Sequence, residues 1–136
     1  MNQYLGLVSI LVDDYDKAIR YFTEVLGFDL LEDTPLSDIK RWVVVSPPGA
    51  KECGLLLAKA ATDYQKEYIG NQTGGRVFLF LYTDHFDEFF NRLVSHDTKI
   101  IHAPRIENYG KVAVFQDLYG NFWDLIESKK FSTFDL

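Results

Sequence analysis

Apolar and polar positions along this chain form one pattern that occurs twice. In the run Leu5 to Val12, the residues Val8, Ile10 and Val12 make an uninterrupted apolar set. Strand side chains alternate between faces, so Leu5, Leu7, Ser9 and Leu11 fall on the opposite side. Asp13 then opens a helical pattern, Tyr15, Ala18/Ile19, Phe22 and Val25/Leu26, with Asp16 in its first turn and Gly27 as its stop. Extended runs follow at Phe28 to Leu31, Arg41 to Val45 and Leu55 to Leu57. The second pass is Val77 to Thr83, then a helix from Asp84 carrying Phe86, Phe89/Phe90 and Leu93/Val94 on one stripe, with Asp87 in its first turn. The runs Lys99 to His102, Lys111 to Phe115 and Phe122 to Ile126 complete it. Phe78 stands 71 positions after Leu7, and Asp84 stands 71 after Asp13, so order and spacing both repeat.

This pattern predicts a single α+β domain over residues 1–136, built from two tandem βαβββ modules whose curved mixed sheets surround a shared cavity. The modules are 5–58 and 76–127. Residues 59–75 read as a linker with a helical turn or two near Thr62 to Tyr68, and 128–136 as a tail. Phe131 and Phe134 in that tail are expected to pack on the body or on a partner chain.

Composition narrows the picture. With 47% apolar and 15% aromatic residues the chain is globular rather than disordered. No apolar run approaches the roughly 20 residues that span a bilayer. Met1-Asn2-Gln3-Tyr4 offers no basic region ahead of an apolar stretch, so no cleaved secretory signal is expected. A lone cysteine, Cys53, excludes an intramolecular disulfide and suits a cytoplasmic setting. The net charge of −6, with Lys129-Lys130 as the longest basic cluster, argues against a general nucleic-acid binder. It leaves room for attraction of a cationic ligand.

The face opposite the helices is where a ligand would sit. The offset carries Leu7, Ser9 and Leu11 onto Phe78, Phe80 and Tyr82, while Leu79 and Leu81 join the helix-side core. Candidate lining residues are therefore Leu7, Ser9, Trp42, Phe78, Phe80, Tyr82, Tyr109 and Asp124, an apolar and aromatic set with few polar groups. An inward Asp124 needs a hydrogen-bonding or charged partner: Arg41, Arg76, Tyr82, or a ligand's polar or cationic group. His96 reads as a stabilising helix C-terminal residue and His85 as surface, with His102 at the rim; no two histidines are spaced to clamp one metal. Cys53 has only Lys51 as a basic neighbour and does not read as a nucleophile. Asn71 to Arg76 neither follows a strand nor opens a helix, so a phosphate loop is not indicated.

Two stretches resemble a known group. Asp14-Tyr15-Asp16-Lys17-Ala18 with Tyr21-Phe22 and Leu26-Gly27-Phe28, and later Asp117-Leu118-Tyr119-Gly120-Asn121-Phe122-Trp123-Asp124-Leu125, are similar to the vicinal oxygen chelate superfamily. That group includes glyoxalase I, fosfomycin-resistance enzymes, extradiol dioxygenases and bleomycin-resistance proteins. The resemblance spans residues 5–127 and implies paired modules, frequent homodimers and, in the enzymes, a divalent metal held by strand residues. Carried over by position, the metal ligands fall on Leu7, near Gly54, on Phe78 and on Asp124. Only Asp124 carries a donor, whereas a catalytic metal needs about three protein ligands. The leading expectation is thus a protein without metal or other cofactor that binds a small organic molecule in an apolar cavity. Two alternatives stand beside it: a metal-dependent lyase or dioxygenase-like enzyme with an atypical ligand set including Asp124, and an interaction module whose cavity Phe78, Phe80 and Tyr82 fill. Whether any reaction is catalysed is left open by the sequence.

Overall fold

A computed structural model describes residues 1–129, so Phe131 and Phe134 lie outside the described residues. The chain divides into two compact units at Ile69/Gly70. The first runs β1 (Leu7–Val12), α1 (Tyr15–Arg20), a π-helical turn (Tyr21–Val25), β2 (Asp29–Pro35), β3 (Arg41–Ser46), β4 (Gly54–Lys59) and the short α2 (Asp63–Glu67). The second runs β5 (Val77–Tyr82), α3 (Phe86–Ser95), β6 (Lys99–Glu107), β7 (Gly110–Gln116) and β8 (Phe122–Ser128). Each unit holds an open four-stranded mixed sheet, ordered β1-β4-β3-β2 in one and β5-β8-β7-β6 in the other. In both, the last strand lies parallel to the first and antiparallel to the third. The fold is therefore α+β with two βαβββ modules.

Alternation in β1 sends Ile10 and Val12 into the helix-side core with no exposed surface, and leaves Ser9 exposed. Ala18, Phe22, Leu26, Val43, Val45 and Leu57 complete that core in the first module, and Phe86, Leu93, Phe115, Trp123 and Leu125 in the second. The cap of α1 is Asp14, not Asp13: Asp14 Oδ1 accepts the Lys17 N–H at 2.9 Å, while Asp13 pairs with the Lys17 ammonium. At the start of α3, Asp84 pairs with His85 instead of capping, and the His85 N–H goes to Thr83 Oγ1. The first-turn carboxylates have a further role that repeats. Asp16 pairs with Arg41 at 2.9 Å and Asp87 with Lys111, while the two cations lie over the Tyr15 and Phe86 rings at 5.2 and 5.0 Å. Each module thus ties its helix to the start of its third strand, with contacts worth about 0.5–1 kcal/mol apiece.

Both outer strands extend further than Phe28 to Leu31 and Lys99 to His102. Strand β2 is exposed along its whole length, so it lacks the apolar alternation that marks a strand in sequence. Strand β6 continues through Pro104, which an edge strand tolerates at an irregularity; its pairing shifts between His102 and Arg105. The π-helical turn is also absent from the sequence pattern. There the Leu26 N–H reaches back five residues to the Tyr21 carbonyl, and the Thr23 hydroxyl donates to the Ile19 carbonyl at 2.7 Å. Among the described residues no helix is long and apolar enough to cross a membrane.

The connection from β7 to β8 is built around Asp117, which is 6% exposed. Its Oδ1 accepts the backbone N–H groups of Tyr119, Gly120 and Asn121 at 2.9, 3.0 and 3.0 Å. Its Oδ2 accepts Asn121 Nδ2 at 3.1 Å and Trp123 Nε1 at 2.9 Å. Gly120 adopts φ 110°, which a side chain would resist. Trp123, fixed by that bond, stacks on Phe115 at 5.6 Å, so the next residue, Asp124, points to the other face. Replacing Asp117 with alanine strands several buried donors and is expected to cost about 3–5 kcal/mol in urea unfolding, with Asp117→Asn milder. A loss under about 1 kcal/mol for the alanine variant contradicts this account.

Candidate functional site

The first module's open face, opposite its helix, is floored by side chains that the strand registers bring together. Ser9 pairs with Leu56, Leu56 with Val44, and Leu11 with Ala58. At the end of this face lies a cleft of about 690 Å³, lined by Ser9, Leu11, Trp42, Leu56 and Ala58 from the sheet. The loop between β2 and β3 adds Ile39 and Lys40, the segment leading into α2 adds Ala61, and α2 adds Gln65. Of the sequence candidates, Ser9 and Trp42 meet here. Leu7 shares the face but sits opposite Gly54, outside the cleft.

The second module's open face is organised in rows across the sheet. One row is Phe80, Asp124, Val114 and His102; the next is Tyr82, Ile126, Val112 and Arg105. Phe80 and Tyr82 are 57% and 51% exposed, an unusual degree for aromatic strand residues. Phe78 lies where the pairing jumps from Val77/Phe122 to Leu79/Trp123, so the regular register that would have matched it to Leu7 is lost. Tyr109 lies in the turn between β6 and β7, exposed, with its backbone carbonyl accepting the Lys129 N–H.

Of the side chains expected to partner Asp124, Arg41 is engaged elsewhere. Arg41 is held within the first module by Asp33, at 2.7 and 3.1 Å, and by Asp16. The charges acting on Asp124 are instead those of Arg105 and His102, and among the described residues no hydrogen bond reaches its carboxylate. Sequence alone puts His102 only at the rim and passes over Arg105, because β6 runs on past His102 and a bulge changes which of its residues share the Asp124 face. Cross-strand parity in β6, extended through Pro104, is the signal that would have found them. Of the other histidines, His96 ends α3 with Nδ1 2.9 Å from the Arg92 carbonyl, and His85 pairs with Asp84 on the surface.

A metal centre of the kind the resemblance implies does not fit these residues. Leu7, Gly54 and Phe78 offer no donor atom, and a Cβ built on Gly54 would already lie 3.1 Å from Val44 Cγ1 and 3.4 Å from Leu7 Cδ2. Among the described residues no group of three or more His, Cys, Asp or Glu side chains is placed to hold an ion. What the open faces do offer is apolar and aromatic surface with a few polar groups, which suits binding by burial of a ligand's apolar area.

Burial raises the Asp124 carboxyl above its ordinary value, and the positive charges of Arg105 and His102 oppose that rise. The folded state therefore binds this proton more tightly than the unfolded chain does. It follows that stability from this group falls as pH rises from the ordinary carboxylate pKa through the raised one. Compared with Asp124→Asn in urea titrations between roughly pH 3.5 and 6, the unsubstituted protein is expected to lose relative stability as pH increases. A relative gain over that window contradicts the assignment.

Comparison with known proteins places this geometry. Residues 4–125 match the Glyoxalase/Bleomycin resistance protein/Dioxygenase superfamily profile. An uncharacterized protein of Shewanella frigidimarina is 50% identical over 128 residues, covering 93% of this chain and 95% of the relative. Among solved structures, UcmS2 superposes with a TM-score of 0.80 at 26% identity, covering 94% of this chain and all of that one (100%). TnmS3, an antibiotic binding protein from Streptomyces sp. CB03234, gives 0.74 at 29% identity, covering 94% of this chain and 98% of its own. The chain belongs to the Glyoxalase/Bleomycin resistance protein/Dioxygenase superfamily.

Proposed function

We propose that this protein binds a small organic molecule by its apolar body, without a metal or other cofactor. The observation that carries the reading is the first-module cleft, whose volume of about 690 Å³ and floor of Leu11, Trp42, Leu56 and Ala58 suit a drug-sized ligand. The absence of donor side chains at Leu7, Gly54 and Phe78 supports metal independence. Support also comes from TnmS3, a similar protein that binds an antibiotic. The size of the cleft counts against an interaction module with a filled cavity. A cytoplasmic homodimer, in keeping with the resemblance, is part of the proposal. Sedimentation equilibrium tests the dimer, and a 15.7 kDa species at micromolar concentration contradicts it.

Binding is tested with N-phenyl-1-naphthylamine, a neutral probe that fluoresces in apolar surroundings. Saturable binding is expected, and Ser9→Trp, which fills the cleft from an exposed position, is expected to weaken it about tenfold through lost contact area. Binding that ignores this substitution places the ligand elsewhere and sinks the assignment. After incubation with Zn²⁺, Mn²⁺, Ni²⁺ or Fe²⁺ and desalting, bound metal is expected well below one ion per chain. One tightly held equivalent overturns metal independence and favours the enzyme reading.

A further inference from the structure

We infer that the first-module cleft takes an anionic amphiphile: an apolar body on its floor, and a carboxylate or similar acidic head near Lys40 and Lys59. The inference rests on the small-molecule reading and specifies the ligand's charge. The chain carries 20 acidic and 14 basic residues, yet the cleft lining contains Lys40, Arg41 and Lys59 and neither Asp nor Glu. The overall acidic surplus would favour a cationic ligand; the charged side chains that line the cleft itself are all basic.

Among the three cations, Arg41 is not available to a ligand. Its guanidinium is held by Asp33 and Asp16, and these hydrogen bonds raise its pKa above the ordinary value. Lys40 and Lys59 differ. Among the described residues neither makes an ion pair, and both line the cleft, Lys40 from the β2–β3 loop and Lys59 from the end of β4, where it pairs with Val12 and alternation turns it toward the helix side. Lys59 is shared with an adjoining groove of about 390 Å³ whose lining also includes Asp14, Asp16 and Asp38. Two of those carboxylates are engaged, Asp16 with Arg41 and Asp14 with the Lys17 N–H. Lysine stems lie along apolar surface while the ammonium stays near water, so an acidic head at the mouth meets charge without full desolvation of either group. Gln65 adds a neutral donor. Its Oε1 accepts the Ala61 N–H at 2.7 Å, which fixes the amide and leaves its NH₂ for an acceptor.

The test is displacement of N-phenyl-1-naphthylamine by three ligands of one chain length and different head: dodecanoate, methyl dodecanoate and dodecyltrimethylammonium, each below micelle formation. Dodecanoate is expected to displace the probe at about a tenfold lower concentration than the ester, with the cation weakest and the preference shrinking as salt rises. In a Lys40→Gln/Lys59→Gln variant the carboxylate-to-ester ratio is expected to fall to within about twofold. Saturable probe binding with ester or cation displacing as well as the carboxylate overturns the inference and leaves the small-molecule reading intact. A carboxylate preference that survives in the double variant also overturns it. Failure of the probe to bind at all removes both.

Discussion

The hydrogen bonds that converge on the buried carboxylate of Asp117 set the second module's open face. Because Oδ1 gathers three successive backbone N–H groups and Oδ2 takes the indole of Trp123, β8 leaves the turn with a fixed rotation. In a strand a one-residue slip exchanges the two faces, so this rotation decides that Trp123 and Leu125 enter the core and Asp124 does not. The first module has no equivalent. Its β3–β4 connection turns at Ser46-Pro47-Pro48-Gly49, with the Ala50 N–H donating to the Pro47 carbonyl, and β4 then starts at Gly54, where an added Cβ would crowd Val44 and Leu7.

One scaffold has thus been given two different open faces. In the first module, small and aliphatic residues leave a cleft bordered by cations. In the second, Phe80 and Tyr82 stand exposed along the edge strand of a sheet whose central feature is a half-buried carboxylate. Neither face gathers ligands for a metal among the described residues. Within a family named for glyoxalases, resistance proteins and dioxygenases, the same framework serves different chemistries, and side chains rather than topology separate them.

The elements with alternating or helical apolar periodicity were legible in the sequence. The duplicated order of strands and helices was visible, as was the outward placement of Ser9 and of Asp124's neighbours Phe80 and Tyr82. What was not legible depends on polar residues or distant pairs. Strand β2 carries Asp29, Glu32 and Asp33 on an exposed edge, and β6 contains Pro104, so neither announces its length. The Arg41–Asp16 and Lys111–Asp87 ties join residues 25 and 24 positions apart, which no local pattern reveals. His102 and Arg105 come to share the Asp124 face only because a bulge interrupts strict alternation.

The central claim is that binding is a matter of apolar burial in the first-module cleft and needs no metal. Backbone and indole ¹H–¹⁵N shifts, recorded with and without N-phenyl-1-naphthylamine in the presence of EDTA, test it most directly. The account predicts perturbations concentrated at Ser9, Leu11, Leu56, Ala58 and the Trp42 indole, with the Trp123 indole, held by Asp117, unmoved. Perturbations that require added divalent metal, or that fall on the helices instead of the cleft, would contradict it.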